Sequence, residues 1–467
     1  MKLIIFSVLL CFGGLVSAQD STSVISLSEY LGYVKSFHPI VKQANLVINE
    51  SEAKLMKARG AFDPKLEVDY DRKKFKNTEY FDRLNGSFKI PTWFGVELKG
   101  NFEENTGDFL NPQAFVPKDG LYSAGVSVPV ARGLLTNSRM AMLRQARLYV
   151  KQAQADRQLL INNILYDATL SYFNWLKTYN EKRVYEDFLT NAEMRFDGIK
   201  KSFEVGDKPA IDTLEARIAL NNRKLNLEKS RIKFIKSSLE LSNYLWLNDN
   251  TPIEIQEGII PDVDTFNSID LTLNTSELNI ENFDIESHPK LQSLDYKYRS
   301  LNIEKRLKMN NLLPQIDLQY NFLSQTPEVA RSFSTSAYKS GVNISFPLFL
   351  RKERGDLKLA KIKLQDTKFD IQNTRVTLIN KIDAINQELD SYVLQNNFTE
   401  TIVDDYSKML TAEERKFFLG ESSLFLVNSR ESKLIDAKLK AIDIENSFFK
   451  TKANLFNVLA LSKVQMN

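Results

Sequence analysis

The feature that most constrains this 467-residue chain is that it repeats itself. Phe37-His38-Pro39 recurs as Ser287-His288-Pro289, and Pro64-Lys65-Leu66-Glu67-Val68-Asp69-Tyr70 as Pro314-Gln315-Ile316-Asp317-Leu318-Gln319-Tyr320. Further on, Tyr122-Ser123-Ala124-Gly125-Val126 matches Tyr338-Lys339-Ser340-Gly341-Val342, and Val205-Gly206 matches Leu419-Gly420. The offset falls from 250 to about 214–216, so the first copy carries about 34 to 36 extra residues between Pro64 and Gly125. Such self-similarity is the strongest organisational signal in the chain.

Each copy changes periodicity in the same order. A helical stretch comes first (27–59 and 284–310), with Leu27, Leu31 and Val34 beginning an apolar stripe. Alternating segments follow. Leu66, Val68 and Tyr70 oppose Lys65, Glu67 and Asp69, while Ile316, Leu318, Tyr320 and Phe322 oppose Gln315, Asp317, Gln319 and Asn321. The extra segment alternates too, with Val96, Leu98 and Phe102 against Glu97, Lys99 and Glu103. Period-two patterning predicts strands lying between water and something apolar.

Very long helices are predicted next, over 136–204 and 354–418, neither containing proline. Tyr185, Leu189, Ala192, Phe196, Ile199 and Phe203 step by four and three, which is a coiled-coil seam. Breaks at Gly206-Asp207-Lys208-Pro209 and Gly420-Glu421-Ser422-Ser423 precede third helices, over about 208–247 and 422–462. Leu434, Ala437, Ala441, Ile444 and Phe448 repeat the seam spacing. In each copy the two shorter helices sum to about the length of the long one, so they are expected to stack end to end along it.

Residues 1–18 read as a secretory signal peptide: basic Lys2, the apolar run Leu3–Val16, then small residues to a cleavage point after Ala18. That segment holds Cys11, the only cysteine, so no disulfide framework is expected. The organisation becomes 1–18 signal peptide, 19–248 first repeat, 249–283 linker and 284–467 second repeat. A formal charge of +3 gives no electrostatic case for nucleic acid. The only histidines, His38 and His288, occupy equivalent positions beside proline and have no further ligands at metal spacing. They read as helix-boundary residues. No catalytic triad or phosphate loop is present, so neither catalysis nor a cofactor or metal is expected. Arg72-Lys73-Lys74 reads as a solvated strand end. Trp93, Phe94, Phe109 and Phe115 fit either an interfacial girdle or a periplasmic hairpin.

The two His-Pro helix starts, the two proline-led strands, Gly125-Val126-Ser127-Val128-Pro129 with Gly341-Val342-Asn343-Ile344-Ser345-Phe346-Pro347, and the two glycine-marked breaks together resemble the TolC family of outer-membrane efflux proteins. The resemblance implies an α+β membrane protein. Long antiparallel coiled-coil hairpins in two tandem repeats carry strands that join a trimeric transmembrane β-barrel. It implies an exit duct of a tripartite efflux or type I secretion system, in a Gram-negative outer membrane. Its partners would be a periplasmic adaptor (membrane fusion protein), an inner-membrane pump, outer-membrane lipid and two further copies of itself. The extra strands depart from the family's two per repeat. The competing reading is a periplasmic coiled-coil adaptor or structural protein with a compact β-domain.

By the same resemblance the breaks are adaptor-docking tips: Gly206, Asp207, Lys208, Pro209, Ala210 and Ile211 in one repeat, Gly420, Glu421, Ser422, Ser423 and Leu424 in the other. Asp212 is expected at the tunnel entrance, with Leu426 and Ser429 standing where relatives often have acids.

Overall fold

A computed structural model describes residues 23–256, 258–275, 283–327 and 334–461. The signal segment and residues 276–282 of the linker lie outside the described residues.

After a short strand β1 (Ser23–Ile25), the first helical stretch divides at His38 into α1 (Leu27–Phe37) and α2 (Pro39–Arg59). Strands β2 (Lys65–Phe75), β3 (Thr78–Pro91), β4 (Glu97–Thr106) and β5 (Leu121–Pro129) follow. Then come α3 (Ser138–Glu204) and α4 (Ala210–Ser242). The second repeat has α6 (Pro289–Asn310), β7 (Gln315–Ser324), β8 (Tyr338–Ser345), α7 (Arg351–Phe418) and α8 (Leu424–Leu459). Between the repeats lie β6 (Ile259–Pro261) and α5 (Thr265–Thr272).

The short helices do stack end to end along the long one. On one half of α3, Arg157 donates to Asn45 at 2.7 Å and Lys54 to Tyr149 at 3.0 Å, which fixes α2 antiparallel to it. On the other half, Trp175 Nε1 donates to Ser238 at 2.9 Å, and Lys224 pairs with Glu193 at 3.6 Å, which fixes α4. Tyr30, Tyr172, Phe173, Trp175, Phe449 and Phe456 are fully buried where α2 gives way to α4. Each such side chain contributes roughly 1.5–3 kcal/mol by burial.

The residues between the repeats are more than a connector. β6 pairs in parallel with β1, Ile269 and Leu273 of this stretch are buried, and the Tyr172 hydroxyl donates to Ile25 O at 2.8 Å while accepting from Asp262 N at 3.2 Å. Their polar composition masked two apolar anchors at helical spacing.

Both histidines cap helices. The backbone N–H of Ile40 donates to His38 Nδ1 at 3.2 Å, and that of Lys290 to His288 Nδ1 at 3.1 Å. Nδ1 is therefore unprotonated, and His288 Nε2 donates to Val458 O at 2.9 Å. His38 stacks on Tyr244, 5.9 Å between ring centroids. In each repeat the cap thus ties the start of the first long-axis helix to the end of the third.

Burial lowers the pKa of both rings. A histidine with a depressed folded pKa stabilises fully above its unfolded value, ~6.5, and progressively less as pH falls below it. Thermal stability is expected to drop between pH 7 and 5, by about 1 kcal/mol per lost cap. His38→Asn and His288→Asn keep an acceptor that does not titrate, so melting curves of the double variant should lose most of that slope. An unchanged slope would place the acid sensitivity elsewhere.

The six long strands form one antiparallel sheet in the order β2-β3-β4-β5-β7-β8. β2 matches β7 in the repeat and β5 matches β8, so β3 and β4 are the inserted hairpin. Val96, expected in a strand, sits in the turn before β4. Trp93 and Phe94 occupy that turn at the helical end, where Trp93 stacks on Phe62 at 5.8 Å. Phe109 and Phe115 lie in the loop between β4 and β5 at the far end of the sheet. The aromatic band on the sheet is instead Phe102 against Tyr122, and Tyr320 against Phe322 and Tyr338. At the far end Arg72, Lys73 and Lys74 are exposed, as a solvated strand end requires, and Arg72 also pairs with Glu79 at 2.5 Å and Asp82 at 3.4 Å.

Candidate functional site at the helical tips

The end of the molecule away from the sheet is two helical hairpin tips of the same construction. Gly206 (φ +83°) follows α3 and Gly420 (φ +80°) follows α7. At the first, Gly206 N donates to Phe203 O at 2.9 Å and Asp207 N to Ser202 O at 2.8 Å. At the second, Gly420 N donates to Phe417 O at 3.1 Å and Glu421 N to Lys416 O at 2.9 Å. This left-handed cap satisfies carbonyls the helix end would otherwise strand. The next helices start differently. Pro209 precedes α4 without a side-chain cap, whereas the Ser423 hydroxyl accepts from Leu426 N at 3.4 Å at the head of α8.

The two tips touch. Lys208 Nζ lies 4.9 Å from the Phe417 ring centroid, and Leu424, 2% exposed, packs against Ile199 and Ala216 of the other hairpin. Leu424 is therefore a packing residue rather than part of the outer surface. The expected docking residue Ile211 is exposed, and so are Val205, Phe418, Leu419 and Phe425, none of which the sequence analysis placed in the docking surface. Phe418 is 89% exposed. The signal was available: apolar residues stand at the breaks themselves, where a solvated turn would be polar.

Asp212 sits half-buried in the first turn of α4, where the helix N-terminus favours its charge. Leu426 (39% exposed) and Ser429 lie on the exposed side of the first turns of α8.

A charged cluster above the tips was not anticipated. Glu431, its side chain 2% exposed, accepts from Arg195 at 2.5 Å and from Arg223 Nε at 3.0 Å. Arg195 also reaches Glu414 at 2.9 Å, and Arg223 reaches Ser432 at 3.2 Å. Asn428 donates to Glu215 at 3.2 Å. These bonds tie α3 and α4 of the first repeat to α7 and α8 of the second. The sequence cue is spacing: Glu431 falls in the seam between Val427 and Leu434, and Arg223 continues the seam of Ala216 and Leu220. Charges at seam positions need partners from the facing helix.

Among the described residues no group of histidine, cysteine, aspartate and glutamate could hold a metal ion, and no helix is long and apolar enough to cross a membrane.

Residues 285–461 match the family described as outer membrane efflux protein. A search of curated proteins finds no match. Solved structures of the same fold include the CmeC outer membrane channel of Campylobacter jejuni (15% identity, covering 94% of this chain and 86% of that one, TM-score 0.64). VceC, an outer membrane protein of Vibrio cholerae, matches at 11% identity over 93% of this chain and 96% of its own, TM-score 0.66. The open state of the Neisseria gonorrhoeae MtrE outer membrane channel matches at 11% identity over 94% and 90%, TM-score 0.65. At these identities the likeness is one of fold.

Proposed function

We propose that this chain is an outer membrane efflux protein, the exit duct of an efflux system: its sheet sits in the outer membrane and its helices reach back through the periplasm. The observation that carries the reading is the pairing of two features in one chain. One is a sheet with an apolar face on which Leu66, Val68, Phe88, Leu98, Val126 and Val342 stay exposed. The other is a set of helices such as α3, 67 residues and ~100 Å long, ending in exposed apolar tips. An open sheet edge cannot persist in lipid, where unpaired backbone groups have no water to bind. Closure by further copies of the chain removes the edge, and a homotrimer is the assembly we infer. The tips are the docking surface for a periplasmic adaptor, itself joined to an inner-membrane pump. The role is transport rather than catalysis.

The test is cell fractionation followed by native electrophoresis in mild detergent. The protein is expected in the outer membrane as a trimer, and its loss is expected to make cells accumulate exported compounds. A monomer in the soluble periplasmic fraction would overturn the duct and favour an adaptor.

At the entrance we infer closure mainly by packing. Three copies of Asp212 near one axis would repel one another and attract cations. Leu426 and Ser429 add no further acid, and apolar Leu426 at a narrow constriction favours closure by dewetting. Leu426→Ala is expected to raise single-channel conductance in planar bilayers more than Asp212→Asn does. The reverse order would make the gate electrostatic.

A further inference from the structure

The sheet carries more than the repeat plan requires, and the surplus is placed in register. The inserted hairpin β3–β4 lies between β2 and β5, hydrogen-bonded to both. Directly paired residues point to the same side of a sheet. One such row runs Leu66, Phe88, Gly100, Ala124, Phe322, Tyr338 across all six strands. A second runs Ile90, Leu98, Val126, Tyr320. The row on the opposite face runs Lys65, Lys89, Lys99, Gly125, Asn321, Lys339. The inserted strands therefore continue both the apolar and the polar face of the four repeat-related strands. A hairpin standing clear of the membrane would be under no such constraint.

Length and direction agree. β3 has 14 residues and β4 has 10, enough for a tilted strand of about 9–11 residues to cross the hydrocarbon. β2 leaves the helical end of the molecule and β8 returns to it, so these outer strands run antiparallel. Every residue of both is exposed, and each presents an edge that is unpaired among the described residues. β2 of one copy can then pair with β8 of the next in the antiparallel sense that continues the sheet.

We propose that all six strands enter the barrel, so that the homotrimer proposed above closes with eighteen strands rather than twelve. Barrel diameter grows roughly linearly with strand number, and barrels of about 16–18 strands enclose an aqueous channel. The bore at the membrane is then about half again as wide as four strands per chain would give. Its wall is the polar face, where Arg83 pairs with Asp71 at 3.3 Å and Lys89 with Glu67. This outer pore is wide and mixed in charge, so discrimination between cargoes falls to the tip end.

The proposal rests on the trimer, and the test separates the two. A single nitroxide is placed at Ala124→Cys on β5, in a Cys11→Ser background, in the full-length protein reconstituted in bilayers. β5 is in the barrel under either strand count. Three-fold symmetry gives one distance between labels. With strands ~4.8 Å apart and tilted ~40°, it is about 30 Å for eighteen strands and about 20 Å for twelve, before the label's own reach. The expected result is the longer distance. A second chain lacking residues 78–114, which removes β3 and β4 and keeps the Leu66–Ala124 row alignable, calibrates the shorter one. A full-length distance equal to that of the shortened chain would overturn the eighteen-strand barrel while leaving the trimer standing. If the shortened chain fails to assemble, the full-length distance decides alone. Absence of any dipolar coupling would instead overturn the trimer itself.

Discussion

Glu431→Ala is expected to destabilise the chain by about 3–5 kcal/mol, the usual cost of removing one partner from a buried ion pair. The carboxylate is held between two guanidiniums from the opposite hairpin, and its side chain is 2% exposed. Without it Arg223, also buried, keeps its charge with the Ser432 hydroxyl as its remaining hydrogen-bond partner among the described residues. Arg195 retains Glu414 at the surface, so the loss centres on Arg223. The hairpins should part locally, with faster amide exchange in α4 and α8 near the tips and little change at Tyr172 or Trp175. Replacing all three of Arg195, Arg223 and Glu431 with leucine is expected to recover much of the loss, because no stranded charge remains. Denaturant unfolding of the two variants decides the point. If the triple variant is as unstable as Glu431→Ala, the cluster's own attraction, and not the cost of an unpaired charge, holds the hairpins together.

Valine at Gly206 or Gly420 is the second large effect. Both glycines adopt left-handed φ, and a Cβ on either would meet nothing within 4 Å. The penalty is conformational, about 1–2 kcal/mol for an L-residue and more for a β-branched one. A shift of ~1.4 kcal/mol changes a population about tenfold. Export by Gly206→Val or Gly420→Val is expected to fall by about that factor or more, with the proposed trimer and its membrane insertion intact, since the sheet is a helix length away. Asparagine tolerates left-handed φ, so Gly206→Asn and Gly420→Asn should export nearly normally. Normal export by both valine variants, measured as intracellular retention of a fluorescent substrate, would remove the tips as the docking surface.

The sequence by itself determined the repeat, the order of helix and strand, the tips and the histidine boundaries. Each is written locally. Period 3.6 or 2, a glycine at a helix end and an imidazole before Pro39 or Pro289 act within a few residues of themselves. It also determined that the strands have one apolar face, because alternation is a property of a single strand. Only the tertiary structure decided which strands are neighbours. Val96–Glu103 alternates whether it pairs inside the sheet or stands apart, and hydrogen bonds from β4 to both β3 and β5 resolve that. Nor could spacing alone say which exposed-looking residues are buried. Leu424 and Leu426 are two residues apart near a helix start, yet one packs against Ile199 and the other faces outward. The Arg195–Glu431–Arg223 cluster joins residues more than two hundred positions apart in the chain. Its charges stand in apolar seams where local reading predicts cost. The offset is supplied by a helix from the other repeat, and only packing brings that helix into reach.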